Sequence, residues 1–216
     1  MGLGYVILSL VMAVAVTVTL NVASRATLAS SQLQTINFGE VLNFMIVPFT
    51  AIFGLLISTP TYLLFVNDKN AGVLEYLLAV GMSQRDVFKG YLKAALMLSM
   101  VAMGPAVLLH FALSTTAAAQ TVLAGGLALA TGLSDVALTT FLMTTFSSMQ
   151  RRPTGMNSPL GISVGIGLLM PEFFLLLILG PSVIWLDLAT VGAILGSAVL
   201  LYLSVDRLIM REKLLP

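Results

Sequence analysis

Asn67–Lys93, NDKNAGVLEYLLAVGMSQRDVFKGYLK, is the one long segment of the chain that is neither a purely apolar run nor a short turn. It carries Lys69, Arg85, Lys89 and Lys93 together with Asp68, Glu75 and Asp86, and a strongly apolar run flanks it on each side. Ala71 to Val80 predicts a short amphipathic helix, because Val73, Leu74, Leu77 and Leu78 fall on one face at helical spacing. Gly81 ends that helix. Ser83-Gln84-Arg85-Asp86 then has the form of a capping box, with Ser83 accepting from the new helix and Asp86 near its positive N-terminus. The order is therefore span, short helix, glycine break, capped helix, span. An ordinary amphipathic helix resting on lipid headgroups has the same pattern.

Composition points the same way. The chain has 216 residues, 58% of them hydrophobic and only 9% charged, with a mean hydropathy of +1.04. A soluble domain carries about 25% charged residues. A chain this apolar cannot cover itself with a polar surface in water, so an all-α integral membrane protein is expected. A net charge of +1 gives no reason to expect a nucleic acid partner. With no cysteine, a disulfide scaffold, a thiolate metal site and a cysteine nucleophile are excluded.

A helix needs roughly 20 apolar residues to cross about 30 Å of hydrocarbon. On that rule six spans are expected within one transmembrane domain over residues 1–216, at about 4–24, 41–66, 85–114, 117–149, 159–179 and 183–205, with the elbow at 67–84. The first run is read as a span and not as a cleaved signal, since it is long and no basic residue precedes it. A polar loop is expected over Arg25–Glu40, and kinks at Pro48, Pro60 and Gly104-Pro105. The fourth run is longer than a bilayer requires, so it either tilts or breaks near Gly125-Gly126. Gly161-x-x-x-Gly165 and Gly192-x-x-x-Gly196 allow close helix contact. Lys69, Arg85, Lys89, Lys93, Arg151, Arg152, Arg207, Arg211 and Lys213 all fall on one side of this topology, and Arg25 alone on the other. That asymmetry places both termini and the elbow in the cytoplasm, with the chain in the cell membrane.

The elbow resembles the signature joining the second and third spans of type-2 ABC exporter permeases. Gly72, Leu74, Glu75, Leu77, Leu78, Ser83, Asp86 and Gly90 stand at matching places, with a one-residue drift around Arg85. Val73 replaces the usual threonine, Gly81 a proline and Tyr91 the final lysine. The resemblance implies that Gly72, Leu74, Glu75, Leu77, Leu78, Ser83, Arg85 and Asp86 form a coupling helix and its continuation, docked on a separate ABC-type ATPase subunit. It also implies a second permease subunit, identical or not, and ATP and Mg held by the partner ATPase. Permeases of this kind commonly open with a basic amphipathic surface helix. Here the reading starts directly in span one, which implies reduced ATPase contact or contact supplied by another subunit. The chain has no G-x-x-x-x-G-K-[ST] loop, so it is not expected to hold ATP in that way or to be an enzyme by itself.

Ionisable residues inside spans are costly and call for a functional hypothesis. Asp135 lies about 21 Å from the inner end of span four, with Thr131 and Thr139 at i−4 and i+4. This stripe lines an export path, binds a cation, or is a structurally satisfied carboxyl. Glu172 and Asp187 fall near the outer edges of spans five and six, where structural and interfacial roles are expected. His110, the only histidine, cannot build a His-rich metal site. No Ser/His/Asp set, H-E-x-x-H motif or paired carboxylates on one helix is present, so a membrane hydrolase has no support. Beside the exporter permease stand two other classes, a non-transporting scaffold subunit and an ion-coupled carrier using Asp135.

Overall fold

The computed structural model describes residues 2–30 and 38–145, with single residues between 166 and 203. The expected spans at 159–179 and 183–205, the loop at 150–158, Gly161, Gly165, Glu172, Asp187 and the C-terminal tail lie outside the described residues. The exceptions are isolated helical positions such as Ile166 and Tyr202. Among the described residues the regular structure is all helical, with α1 at Gly2–Ser30, α2 at Phe38–Phe44, α3 at Ile46–Asn70, α4 at Val73–Ala79, α5 at Gln84–Leu113 and α6 at Ala118–Thr145. Among the described residues, four segments are long and apolar enough to cross a membrane: Val6–Ala26, Val41–Asn70, Gln84–Leu113 and Ala118–Thr145. That is the form of a multi-pass membrane protein.

Burial supports this class independently. On α1 the outward face is Ile7, Leu8, Val11, Met12 and Val22, whereas Ser9, Ala13, Thr17, Asn21 and Ser24 face inward. A helix with apolar residues outside and small or polar residues inside is unstable in water but suits lipid, where small residues let helices approach and polar groups must be satisfied within the protein. Thr17 donates its hydroxyl to the Ala13 carbonyl at 2.8 Å, and Asn21 donates its amide to the Thr17 carbonyl at 2.8 Å.

α3 is the central helix, packed against α1, α5 and α6. Side-chain contacts fix the directions. Asn21 meets His110 and Arg25 meets Leu113, so α1 and α5 run parallel. Ser58 reaches Ala95 and Asp68 reaches Tyr91, so α3 runs against α5. Gly125 lies under Phe111, and Phe88 meets Phe141, so α6 also opposes α5. The start of α1, the elbow and the end of α6 therefore share one end of the bundle.

Several expected boundaries move. The loop expected from Arg25 is helical as far as Ser30, where α1 ends. Its Arg25 guanidinium donates to the Leu113 carbonyl at the end of α5, from Nε at 3.1 Å and also from Nη2, which ties this last part of α1 to the bundle. Pro48 has no N–H to give the Phe44 carbonyl, and the chain makes a turn at Met45 between α2 and α3. Helix α3 continues through Pro60 and α5 through Pro105. Pro60 frees the Leu56 carbonyl, and the Thr59 hydroxyl donates to it at 2.6 Å. Asn67–Asn70 belong to the last turn of α3 and not to the elbow.

α6 does not break at Gly125-Gly126. Gly125 instead lets the Phe111 ring and Val107 lie directly on the helix. The tightest packing is elsewhere, at a three-helix junction. Met103 of α5, wholly buried, lies against Gly54 of α3 and Gly132 of α6. A Cβ on Gly132 would also meet the Ala51 Cα at 3.3 Å. Gly192 and Gly196 have no such neighbour among the described residues.

Candidate functional site

Two regions gather the residues singled out by the sequence, and they lie apart. One is the elbow. The other is the α3–α6 seam around Asp135, ten residues before Thr145 and so about 15 Å along α6 from the elbow end.

At the elbow, Gly72 takes φ 74°, in the left-handed region that glycine enters without strain, and this turns the chain from α3 into α4. Gly81 takes φ 99° and turns it again. Ser83 then caps α5. Its hydroxyl oxygen accepts from the Asp86 amide at 3.1 Å, and its hydroxyl donates to the Asp86 carboxylate at 2.6 Å. The Ser83 half of the capping box is formed as the sequence predicts, while the Asp86 carboxylate takes the Ser83 hydroxyl, and from this cap α5 runs through Leu113 as one unbroken helix. Tyr91, which stands where the resembled signature has lysine, donates its hydroxyl to Asp68 at 2.6 Å and packs edge-on against Phe65. This clasp binds the last turn of α3 to α5 across the elbow.

The faces of α4 fall differently from what one apolar stripe suggests. Leu74 and Leu78 are buried in the bundle with Phe65, Val66, Val87 and Phe88, and Leu77 is partly buried against the same cluster. These leucines seat α4 on its own chain. Val73 and Glu75 are exposed. The face turned away from the bundle holds Tyr76, 67% exposed, and Val80, 65% exposed, with Met82 beyond them. Tyr76 and Val80 are spaced i and i+4, so this second apolar face is visible in the sequence once α4 is treated as apolar on both sides. Arg85 lies over the Tyr202 ring, with its guanidinium carbon 5.1 Å from the centroid, and Asp86 is exposed.

In the seam, Thr131, Asp135 and Thr139 are wholly buried along one face of α6. Tyr62 of α3 lies close to Asp135, Thr140 and Ser58. The hydroxyls of Thr131 and Thr139 meet no hydrogen-bond partner among the described residues. Ser58 lies 2.7 Å from the Gly54 carbonyl and 3.0 Å from the Ala95 carbonyl of α5, so its hydroxyl ties the seam to the third helix. The result is a carboxyl group set among hydroxyls inside an apolar bundle. At the far end, buried His110 lies beside Asn21, whose amide nitrogen is 3.3 Å from Nδ1. Among the described residues no three His, Cys, Asp or Glu side chains gather as a metal site.

No family model, curated protein or solved structure matches this chain.

Proposed function

We propose that the chain is a membrane-spanning permease subunit of an ATP-driven ABC exporter, with the elbow docked on a separate ATPase at the cytoplasmic face. The observation that carries this reading is the join between α4 and α5. A short helix with an exposed apolar face leads, through Gly81 and the Ser83 cap, into one continuous membrane-crossing helix. A movement imposed on α4 by a partner passes into the membrane through a capped helix and not through a slack loop. The buried Leu74 and Leu78 make α4 part of the bundle, and Tyr76, Val80 and Met82 offer a surface for the ATPase. A second permease subunit completes the path, and ATP and Mg belong to the ATPase.

The test uses that division. Tyr76→Asp is expected to release the ATPase in mild-detergent affinity purification while the chain still inserts and melts as the parent does. Leu74→Asp puts a charge into the bundle and is expected to lower stability itself. Recovery of an undiminished ATPase complex with Tyr76→Asp refutes docking through this face. Recovery of the parent chain with no nucleotide-binding subunit refutes the exporter reading.

The seam favours one further reading, an ion-coupled carrier in which Asp135 takes up a proton or cation among Thr131, Thr139 and Tyr62. Asp135→Asn removes the charge with little change of volume. It abolishes activity in such a carrier and only perturbs an ATP-driven exporter.

A further inference from the structure

A groove between α5 and α6 lies apart from both the elbow's outer face and the α3–α6 seam. Leu92 and Leu96 of α5 and Leu133 and Ala137 of α6 form two walls of a groove of about 280 Å³, and Leu195 and Val199 form a third. Phe88, Phe141 and Tyr202 line the same groove towards the elbow, and Phe88 makes ring contacts with both of the others. From Phe88 to Leu96 it follows α5 for about 12 Å, against about 15 Å for the hydrocarbon of one leaflet. Its walls are apolar except for Ser134 and the Tyr202 hydroxyl. Inside a membrane such a space suits a hydrocarbon chain.

Charge at one end says which kind. Arg85 sits over the Tyr202 ring at the elbow end of the groove, and Lys89 is exposed one turn along the same helix. A guanidinium over a ring directs its N–H donors outward in its own plane, where a phosphate oxygen is a suitable acceptor. Basic pockets between membrane helices on the cytoplasmic side are suited to anionic headgroups. We propose that this groove holds one acyl chain of an anionic phospholipid, with its phosphate headgroup against Arg85 and Lys89. The site does not depend on the exporter reading, since an accessory subunit or carrier could hold the same lipid.

Native mass spectrometry of the full chain, purified in detergent and titrated with phosphatidylglycerol or phosphatidylcholine of equal chain length, tests it. One phosphatidylglycerol is expected to be retained over phosphatidylcholine by about fivefold or more, the preference that one or two basic side chains provide. The double substitution Arg85→Gln, Lys89→Gln should bring the two lipids level. Ala137→Phe, which fills the groove, should lower the retention of both. Glycerol phosphate, which has the headgroup charge and no acyl chain, should not displace the lipid. Equal retention of the two lipids by the parent chain overturns the proposal. So does a preference that survives the double substitution, or displacement by glycerol phosphate alone. The charge substitutions and the displacement assay decide the matter even if Ala137→Phe fails to fold.

Discussion

The junction of Gly54, Met103 and Gly132 allows a prediction whose sign depends on its background. Replacing Gly132 by alanine in a helix interior should stabilise α6 by about 0.8–1 kcal/mol through helix propensity alone. Here the new methyl group meets the Met103 thioether, with Sδ at 3.1 Å, and the Ala51 Cα at 3.3 Å. The sulfur belongs to a flexible side chain, but that chain is wholly buried and also fills the space above Gly54, so it has nowhere to move. Overpacking of this kind costs about 1–3 kcal/mol, enough to outweigh the propensity gain. Gly132→Ala is therefore expected to destabilise the parent by up to about 2 kcal/mol. Met103→Ala by itself should cost about 2–5 kcal/mol through the cavity it opens. In the Met103→Ala background most of the clash is gone, and Gly132→Ala should become neutral or stabilising. The assay is unfolding in mixed micelles by rising SDS fraction, followed by far-UV circular dichroism, for the four members of the cycle. A coupling of at least about 1 kcal/mol is expected for side chains in direct contact. Additivity within about 0.5 kcal/mol would show that Met103 does not separate these two helices, and the junction as described would be wrong.

Three further outcomes follow from single contacts. Ser83→Ala removes the cap of α5 and should cost about 1 kcal/mol, seen as faster hydrogen exchange at the Asp86 and Val87 amides; unchanged exchange there would deny the cap. Thr59→Val leaves the Leu56 carbonyl without the hydroxyl that replaces the Pro60 donor, for a loss of about 1 kcal/mol in the same SDS titration. That loss should vanish when Pro60→Ala restores the backbone donor, and a loss that persists contradicts the substitution of hydroxyl for N–H. Asn21→Ala breaks the α1–α5 link to His110 and should cost about 0.6 kcal/mol, up to about 1.7, while His110→Ala should add little more in that background; fully additive losses would separate the two side chains.

How much of this was legible beforehand depended on whether the cause was local. The second half of the elbow was readable because Gly81 and Ser83 act through their own backbone and nearest neighbours, ending α4 and starting α5, whereas Gly72, inside the helix expected from Ala71, turns the chain instead and α4 begins at Val73. The Met45 turn was foreshadowed by Pro48 for the same reason. Gly125-Gly126 was ambiguous because glycine in a membrane helix marks either a weak point or a close approach, and only the position of Phe111 on another helix decides between them. The seating of α4 was half legible. Leu74 and Leu78 were on the predicted apolar face, but whether that face met a partner or the chain's own bundle depended on Phe65, Val87 and Phe88. Thr131, Asp135 and Thr139 could be placed on one face of α6 from spacing alone, whereas the approach of Tyr62 from α3 could not.

The inward polar stripe of α1 bears on the order in which the protein is made. Thr17 and Asn21 bond to carbonyls one turn earlier on their own helix, and Thr19 does the same to Ala15. During synthesis α1 enters the bilayer before α5 exists, yet these groups already have acceptors within α1. The first helix can thus wait in lipid as a self-sufficient unit. Its two links to α5, through Asn21 and Arg25, are made only when the later helix arrives beside it. Those two links then close between helices whose backbone groups are already paired within each helix.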